Sequence, residues 1–207
     1  MDITMKKMTK RRLQAIETKS KIYKIGMQLI NENGYESTSI DTICEACGIS
    51  KGAYYHHYQS KVGLLLESAL QAVDVLNQKI EETKGIPVRT RLLSYLICYA
   101  ETTDQDGLEF IRECSRYVIS AEYCEENNSA SISATIRKNI TQMLDESIAH
   151  GELKPDAPID MILEIVQTYM SGFNAKWCLY NGNYSVREIV ERSGSVLVQI
   201  LSPYIGK

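Results

Sequence analysis

The 207-residue chain is short of the residues that interrupt helices and of the patterns that build sheets. It holds only 4 Pro, and no segment alternates apolar and polar residues with the period of two that a half-buried strand requires. No stretch approaches the roughly eighteen consecutive apolar residues needed to span a bilayer, so no membrane partner is expected. The first residues are charged and carry no apolar run, so no secretory leader is expected. A cytoplasmic location follows, with the six Cys reduced. There is no internal repeat and no low-complexity tract. The motifs of common enzyme classes are missing as well: there is no Gly-rich phosphate loop, no HExxH and no nucleophile elbow. An enzyme is therefore not expected, and no cofactor or metal is implied.

The chain does have enough apolar residues for a core, 44% of the total, with a net charge of −3. That balance alone does not suggest a polyanionic partner, but its distribution does. Residues 1–61 carry ten Lys/Arg against six acids, a net +4, and the remainder carries thirteen against twenty, a net −7. A basic amino-terminal part on an acidic body suggests that one end alone meets a polyanion.

Nearly every segment has helical periodicity. Ile22, Ile25 and Leu29 recur on one face until Asn33-Gly34 ends the run. Thr38-Ser39-Ile40-Asp41 resembles a capping box with Asp in place of Glu, its carboxylate reaching back to the cap. Ile40, Ile43, Cys44 and Cys47 then form the inner face of a short helix that Gly48 breaks. Ser50 can cap a third short helix, Lys51 to about Tyr58, and Ser60 a fourth that runs to near Gly85. Longer helices follow from about Val88, Asp106, Ile132, Ile159 and Ser185. The expected fold is all-α, with about nine helices. An amino-terminal three-helix domain, residues 1–61, joins a larger helical domain, residues 62–207.

Three short helices separated by Gly-containing turns, the last one basic and aromatic, suit a helix-turn-helix. A small helix can enter the major groove only if others brace it, and Ile22, Leu29, Ile40, Ile43 and Cys47 supply that brace. The third helix then offers a cation at Lys51, close backbone approach at Gly52, and hydrogen-bonding groups at Tyr54, Tyr55 and His57. Thr38 and Ser50 stand at helix amino termini, where free amides favour phosphate.

Residues Gly34-Tyr35-Glu36-Ser37-Thr38-Ser39-Ile40-Asp41-Thr42-Ile43, Gly48 through Tyr58, and Ser60-Lys61 resemble the TetR family of bacterial regulators. The resemblance spans roughly residues 18–66. It implies that Lys51, Gly52 and Ala53 read base edges and that Tyr55, His57 and Lys61 contact phosphates. Thr38 and Lys19 also match positions near the DNA backbone. Tyr54 stands where the family has a core-facing Leu, and Tyr58 where it has Phe. The partners implied are a palindromic double-stranded operator, a second copy of the chain and a small-molecule effector. Repression released by the effector is the default. The alternatives are a redox or metal sensor built on Cys, and a constitutive DNA-binding protein without an effector.

Cys44 and Cys47 form a CxxC, but without a second pair or a His at ligand spacing they read as small apolar filler. His56 and His57 are adjacent on a helix and point apart, so they do not chelate one ion. Tyr95, Tyr99, Phe110, Cys114, Tyr117, Tyr169, Phe173 and Trp177 are candidates for lining an effector pocket, against the simpler reading of ordinary core. The last two helices have wider apolar coverage than one core face needs. Met161, Ile165 and Tyr169 form a second stripe, and Gly172, Ser193 and Gly194 would permit close helix approach, which suits a four-helix dimer interface.

Overall fold

In the computed structural model, residues 10–119 and 132–206 are described. Among them are nine α-helices and a closing 3-10 helix. The helices are α1 (Lys10–Asn33), α2 (Ile40–Cys47), α3 (Lys51–His57), α4 (Val62–Glu82) and α5 (Val88–Asp106). They continue with α6 (Leu108–Ile119), α7 (Ile132–Ala149), α8 (Ile159–Leu179) and α9 (Val186–Leu197), and the 3-10 helix covers Val198–Tyr204. The chain is all-helical, and none of the described helices is long and apolar enough to cross a membrane. It divides into two compact units, Met1–Glu67 and Ser68–Lys207. The helix expected to follow Ser60 is α4, which begins at Val62, and the two units divide within it, six residues beyond residue 61.

In the first unit, α1, α2 and α3 close around Ile22, Ile30, Ile43, Tyr54 and Leu64, all fully buried, with Cys44 and Cys47 packed beside them. Leu29 and Ile40 of the expected brace are only half-buried. The turn between α2 and α3 depends on Gly48, whose φ of 64° is left-handed. There the Ile49 amide donates to the Cys44 carbonyl at 3.0 Å, closing the end of α2.

The second unit is built around α5. Val88, Leu92, Tyr95 and Leu96 are fully buried along it. Gly194 of α9 faces it so closely that an added Cβ would sit 3.0 Å from Leu93 Cδ1. That glycine therefore serves packing within the chain rather than between two chains. Asp104, near the end of α5, caps α9 from outside: its carboxylate accepts from the Val186 amide at 2.8 Å, the Arg187 amide at 3.1 Å and the Ser185 hydroxyl at 2.7 Å. Such charge-assisted bonds at a helix amino terminus rank among the stronger local contacts. The segment after the 3-10 helix returns to the turn that follows α7. Leu153 and Ile205 form an antiparallel bridge. The Lys154 amide donates to the Tyr204 carbonyl at 2.8 Å, and the Gly206 amide to the Glu152 carbonyl at 2.7 Å.

Asp106 closes α5, and its carboxylate accepts from the Ser68 hydroxyl at 2.5 Å. Burial pushes this carboxyl up from 3.8 to about 6, against the opposing pull of the Ser68 bond. Between those two values the folded chain binds a proton that the unfolded chain has lost. Stability contributed by this group therefore falls as pH rises through that window. Asp106→Asn keeps an oxygen for Ser68 and removes the ionisation. Its stability relative to the parent protein is expected to increase from pH about 4 to pH about 7 in urea titrations; a difference independent of pH would contradict the assignment.

Candidate nucleic-acid interface

The local sequence places each helix of the reader by its caps. Ser39, in extended conformation, accepts from the Thr42 amide at 3.1 Å and pairs with the Thr42 hydroxyl at 2.9 Å. The cap of α2 is thus Ser39, and Thr42 rather than Asp41 completes the box. Ser50 caps α3 by accepting from the Ala53 amide at 3.2 Å, as its position in sequence suggested.

Two of the sequence-predicted contacts face inward. Thr38 is buried, and its hydroxyl donates to the carbonyls of Leu29 at 3.1 Å and Gly34 at 2.9 Å. It closes the α1–α2 turn and has no hydroxyl to offer a phosphate. Tyr54 is also buried, and its hydroxyl donates to the Ser60 carbonyl at 3.3 Å. Burial pushes the Tyr54 phenol up to about 12. Tyr54 belongs to the brace, because its place on α3 turns it into the core beside the Tyr58 ring rather than to solvent. Tyr58, the residue after α3, is likewise buried.

The remaining candidates surround the outer surface of α3. Lys51, Gly52, Tyr55 and His56 are exposed, with Ala53 and His57 half-buried among them. Tyr55 packs edge-on against Tyr54, ring centroids 5.7 Å apart, so the inner tyrosine orients the outer one. Burial, then the charges of His56 and Lys19, hold His57 below the usual imidazole value. At neutral pH it therefore offers a neutral N–H donor rather than a cation.

The three lysines nominated for DNA contact are each held by an acceptor. Lys19 pairs with Glu67 at 2.6 Å and lies 5.5 Å from the centre of the Tyr58 ring. Lys51 pairs with Asp41 at 2.7 Å. Lys61 donates to the Tyr35 carbonyl and, at 2.8 Å, to the Thr38 carbonyl, and its ammonium lies 3.9 Å over the Tyr35 ring. None of these acceptors was nominated from sequence. The charged pairs join residues 10 and 48 positions apart, a separation that no helical spacing rule reaches.

Cys44 and Cys47 are buried free thiols, and burial raises both above the usual value, which suits packing rather than reactivity. No group of three or more potential metal ligands occurs among the described residues.

In the second unit, the aromatic candidates are largely core. Tyr95, Phe110, Phe173 and Trp177 are buried. The Tyr95 hydroxyl accepts from Asn139 at 3.3 Å, and the Trp177 indole donates to the Tyr184 carbonyl at 2.7 Å. Tyr99 and Tyr169 both approach Phe173, with ring centroids 5.7 Å and 5.6 Å away. The Tyr169 hydroxyl meets that of Ser193 at 2.6 Å. The Tyr99 hydroxyl accepts from Asn174 at 2.8 Å, and burial pushes this phenol up to about 12. Burial also pushes the half-buried Cys114 thiol up to about 12. The Tyr117 side chain lies outside the described residues. A recess of about 720 Å³ in this unit is lined by other residues, among them Ile86, Pro87, Arg91, Glu146 and His150. Within it, Arg91 is buried and paired to Glu146 at 2.9 Å.

The family model for bacterial regulatory proteins of the tetR family matches residues 22–68. The HTH-type transcriptional regulator UidR of Escherichia coli K12 is 27% identical over 147 residues, covering 69% of this chain and 72% of UidR. The HTH-type transcriptional repressor AcnR of Corynebacterium glutamicum is 21% identical over 165 residues, covering 77% of this chain and 81% of AcnR. Among solved structures, Salmonella enterica GusR superposes with a TM-score of 0.67 at 21% identity, over 94% of this chain and 100% of GusR. FadR from Bacillus subtilis in complex with stearoyl-CoA gives 0.69 at 15% identity, over 86% of this chain and 97% of FadR.

The inward placement of Thr38 yields a direct test. Thr38→Val keeps the shape and removes both hydroxyl bonds, leaving the Gly34 carbonyl without that donor while the Leu29 carbonyl keeps the Asn33 side-chain amide. A loss of about 1–3 kcal/mol is expected in chemical denaturation, whereas a residue acting only on DNA would cost nothing there.

Proposed function

The chain belongs to the TetR family of bacterial helix-turn-helix transcriptional regulators, and we propose that it acts as a homodimeric, effector-released repressor of a palindromic operator. The observation that carries the DNA-binding part is the arrangement of α3. Its inner side chain Tyr54 is fully buried, while Lys51, Gly52 and Tyr55 are exposed on the opposite face, Lys51 paired to Asp41. That face is the one a recognition helix presents to base edges in the major groove. Ser50, Ala53 and His57 border it, and Lys19 and Lys61 are the further cations this reading assigns to the DNA backbone. Double-stranded DNA is the partner, and a location in the cytoplasm accords with that role.

The dimer reading rests on the outer face of α8 and α9. Met161, Ile165 and Leu179 share one side of α8, opposite the buried stripe of Ile162, Val166, Met170, Phe173 and Trp177. Met161 and Leu179 are 60% and 79% exposed, and Val196 of α9 is 71% exposed. Large apolar side chains at this spacing are covered when two copies pair about a two-fold axis. Two recognition helices would then enter successive major grooves about 34–36 Å apart.

The effector reading centres on Tyr99, Tyr169 and Phe173, with Phe110, Cys114, Tyr95 and Trp177 around them. Asn174 supports it: its side-chain oxygen is buried with no hydrogen-bond partner, although its amide holds Tyr99. A small molecule with an apolar body and one donor group would complete that acceptor. An effector that binds one conformation better than the other by about 1–3 kcal/mol is enough to release the operator.

Two outcomes are expected. A Tyr55→Ala/Lys61→Ala variant that remains helical by circular dichroism loses operator binding in fluorescence anisotropy, and Lys61→Ala alone lowers the salt slope by about one unit. An unchanged slope removes Lys61 from the phosphate contacts and leaves it as the clasp of the α1–α2 turn. In analytical ultracentrifugation the protein sediments as a dimer at micromolar concentration, and Ile165→Glu sediments as a monomer; a monomeric parent protein overturns the α8–α9 interface.

A further inference from the structure

The reading unit itself is not basic. From Ile40 to His57 it carries one lysine, Lys51, and two acids, Asp41 and Glu45. The lysine is paired to one of them at 2.7 Å, with Lys51 and Asp41 side chains 62% and 64% exposed. Asp41 lies in the first turn of α2 and Lys51 in the first turn of α3, so the pair bridges the two helices on the solvent side of the turn. The bond and the charge of Asp41 both raise the Lys51 ammonium above its usual value.

An exposed ion pair of this kind contributes little to stability, because water screens it and two flexible side chains must be ordered. Its consequence lies elsewhere. Non-specific affinity for DNA comes almost entirely from cations that replace counterions on phosphates. A lysine that brings its own carboxylate gains little from a phosphate, since the approach sets two anions side by side and exchanges one anionic partner for another. An ammonium has three donors, and Asp41 occupies one of them. The others remain available to neutral acceptors, such as the O6 and N7 of guanine in the major groove.

Building on the DNA-binding reading above, we propose that Asp41 is a specificity-determining residue: by holding Lys51 it weakens attraction to phosphates in general and reserves that lysine for a base edge. Asp41 touches no DNA in this account. It acts through Lys51, and the operator is discriminated from bulk DNA by the suppression of wrong contacts as much as by the gain of right ones. Lys61 complements this arrangement: its ammonium is held by the neutral Tyr35 and Thr38 carbonyls and keeps its full charge for the phosphate backbone, whereas Lys51, like Lys19 with Glu67, is restrained by a carboxylate.

The test uses the full-length protein with two duplexes, an operator recovered by selection from random-sequence DNA and a mixed-sequence duplex of equal length. Affinity is measured by fluorescence anisotropy across a salt series. In Asp41→Asn, binding to the mixed-sequence duplex is expected to tighten about three- to tenfold, with a salt slope steeper by about one unit. The ratio of operator to mixed-sequence affinity falls by a similar factor. Asp41→Glu restores the parent ratio. In a Lys51→Ala background, Asp41→Asn changes neither the slope nor the ratio. The proposal is overturned if Asp41→Asn leaves the ratio unchanged, or if its effect persists in full without Lys51, which would make it a general charge effect. If the parent protein binds neither duplex, the DNA-binding reading fails, and that result is distinct from an intact binder whose ratio ignores Asp41.

Discussion

The turn between α1 and α2 governs the geometry of the amino-terminal unit, because a helix cannot end in a folded core without partners for its last carbonyls. The Gly34 amide closes on the Ile30 carbonyl at the end of α1, and one hydroxyl and one ammonium serve the carbonyls of the turn that follows. Thr38 donates to the carbonyls of Leu29 and Gly34, and Lys61 reaches back to those of Tyr35 and Thr38 while resting on the Tyr35 ring. The end of α1, the start of α2 and the approach to α4 are thereby tied to a single turn. Once that turn is set, α2 has one orientation against Ile22 and Ile30, and the Gly48 turn delivers α3 with Tyr54 inward. The orientation of the outer face of α3 follows from this sequence of constraints rather than from any residue on that face.

Electrostatics within the same unit are arranged with comparable economy. The lysines near α3 are ordered by acceptors of differing kind: a carboxylate on the neighbouring helix, a carboxylate on α4, and a pair of neutral carbonyls. Neutral acceptors leave the full charge of Lys61 available to its surroundings, whereas Asp41 and Glu67 offset the charges they hold. His57 adds a donor without adding charge, because burial and its cationic neighbours disfavour protonation. The net +4 of residues 1–61 is thus concentrated along α1 and ahead of it in sequence, and the stretch from Ile40 to His57 is close to neutral.

Much of this was legible in the sequence. Helical periodicity and the glycines at turns located α2 and α3 to within a residue or two, since capping and φ constraints are local. The apolar stripe of α8 was also readable, and the structure buries Ile162, Val166 and Phe173 while exposing Met161 and Ile165. The resemblance to a regulator family was specific over the reader because its motif joins several local requirements in fixed order. What escaped was non-local. Thr38 sits at a position matched to phosphate, yet its hydroxyl turns to α1; Ser39, one residue on, has the extended backbone that a cap needs. Tyr54 was placed on the outer face because a phenol looks polar, but the helix turns it inward, and the departure from the family's Leu at that position was the available hint. Asp104 capping α9, Asp41 holding Lys51 and Arg91 paired to Glu146 all join segments whose proximity only the folded chain establishes.

The return of residues 204–206 to the turn after α7 has a consequence for the order of assembly. The bridge between Leu153 and Ile205, with its flanking amide bonds, cannot form until the last helices have been synthesised and released. The amino-terminal unit is a compact body within Met1–Glu67. During vectorial synthesis the amino-terminal unit can therefore form while the larger unit still lacks its closing clasp, since domains generally fold as units from the amino terminus. The two units thus differ in what their closure requires: the first closes within one early stretch of chain, and the second needs residues 204–206 to return to the turn after α7.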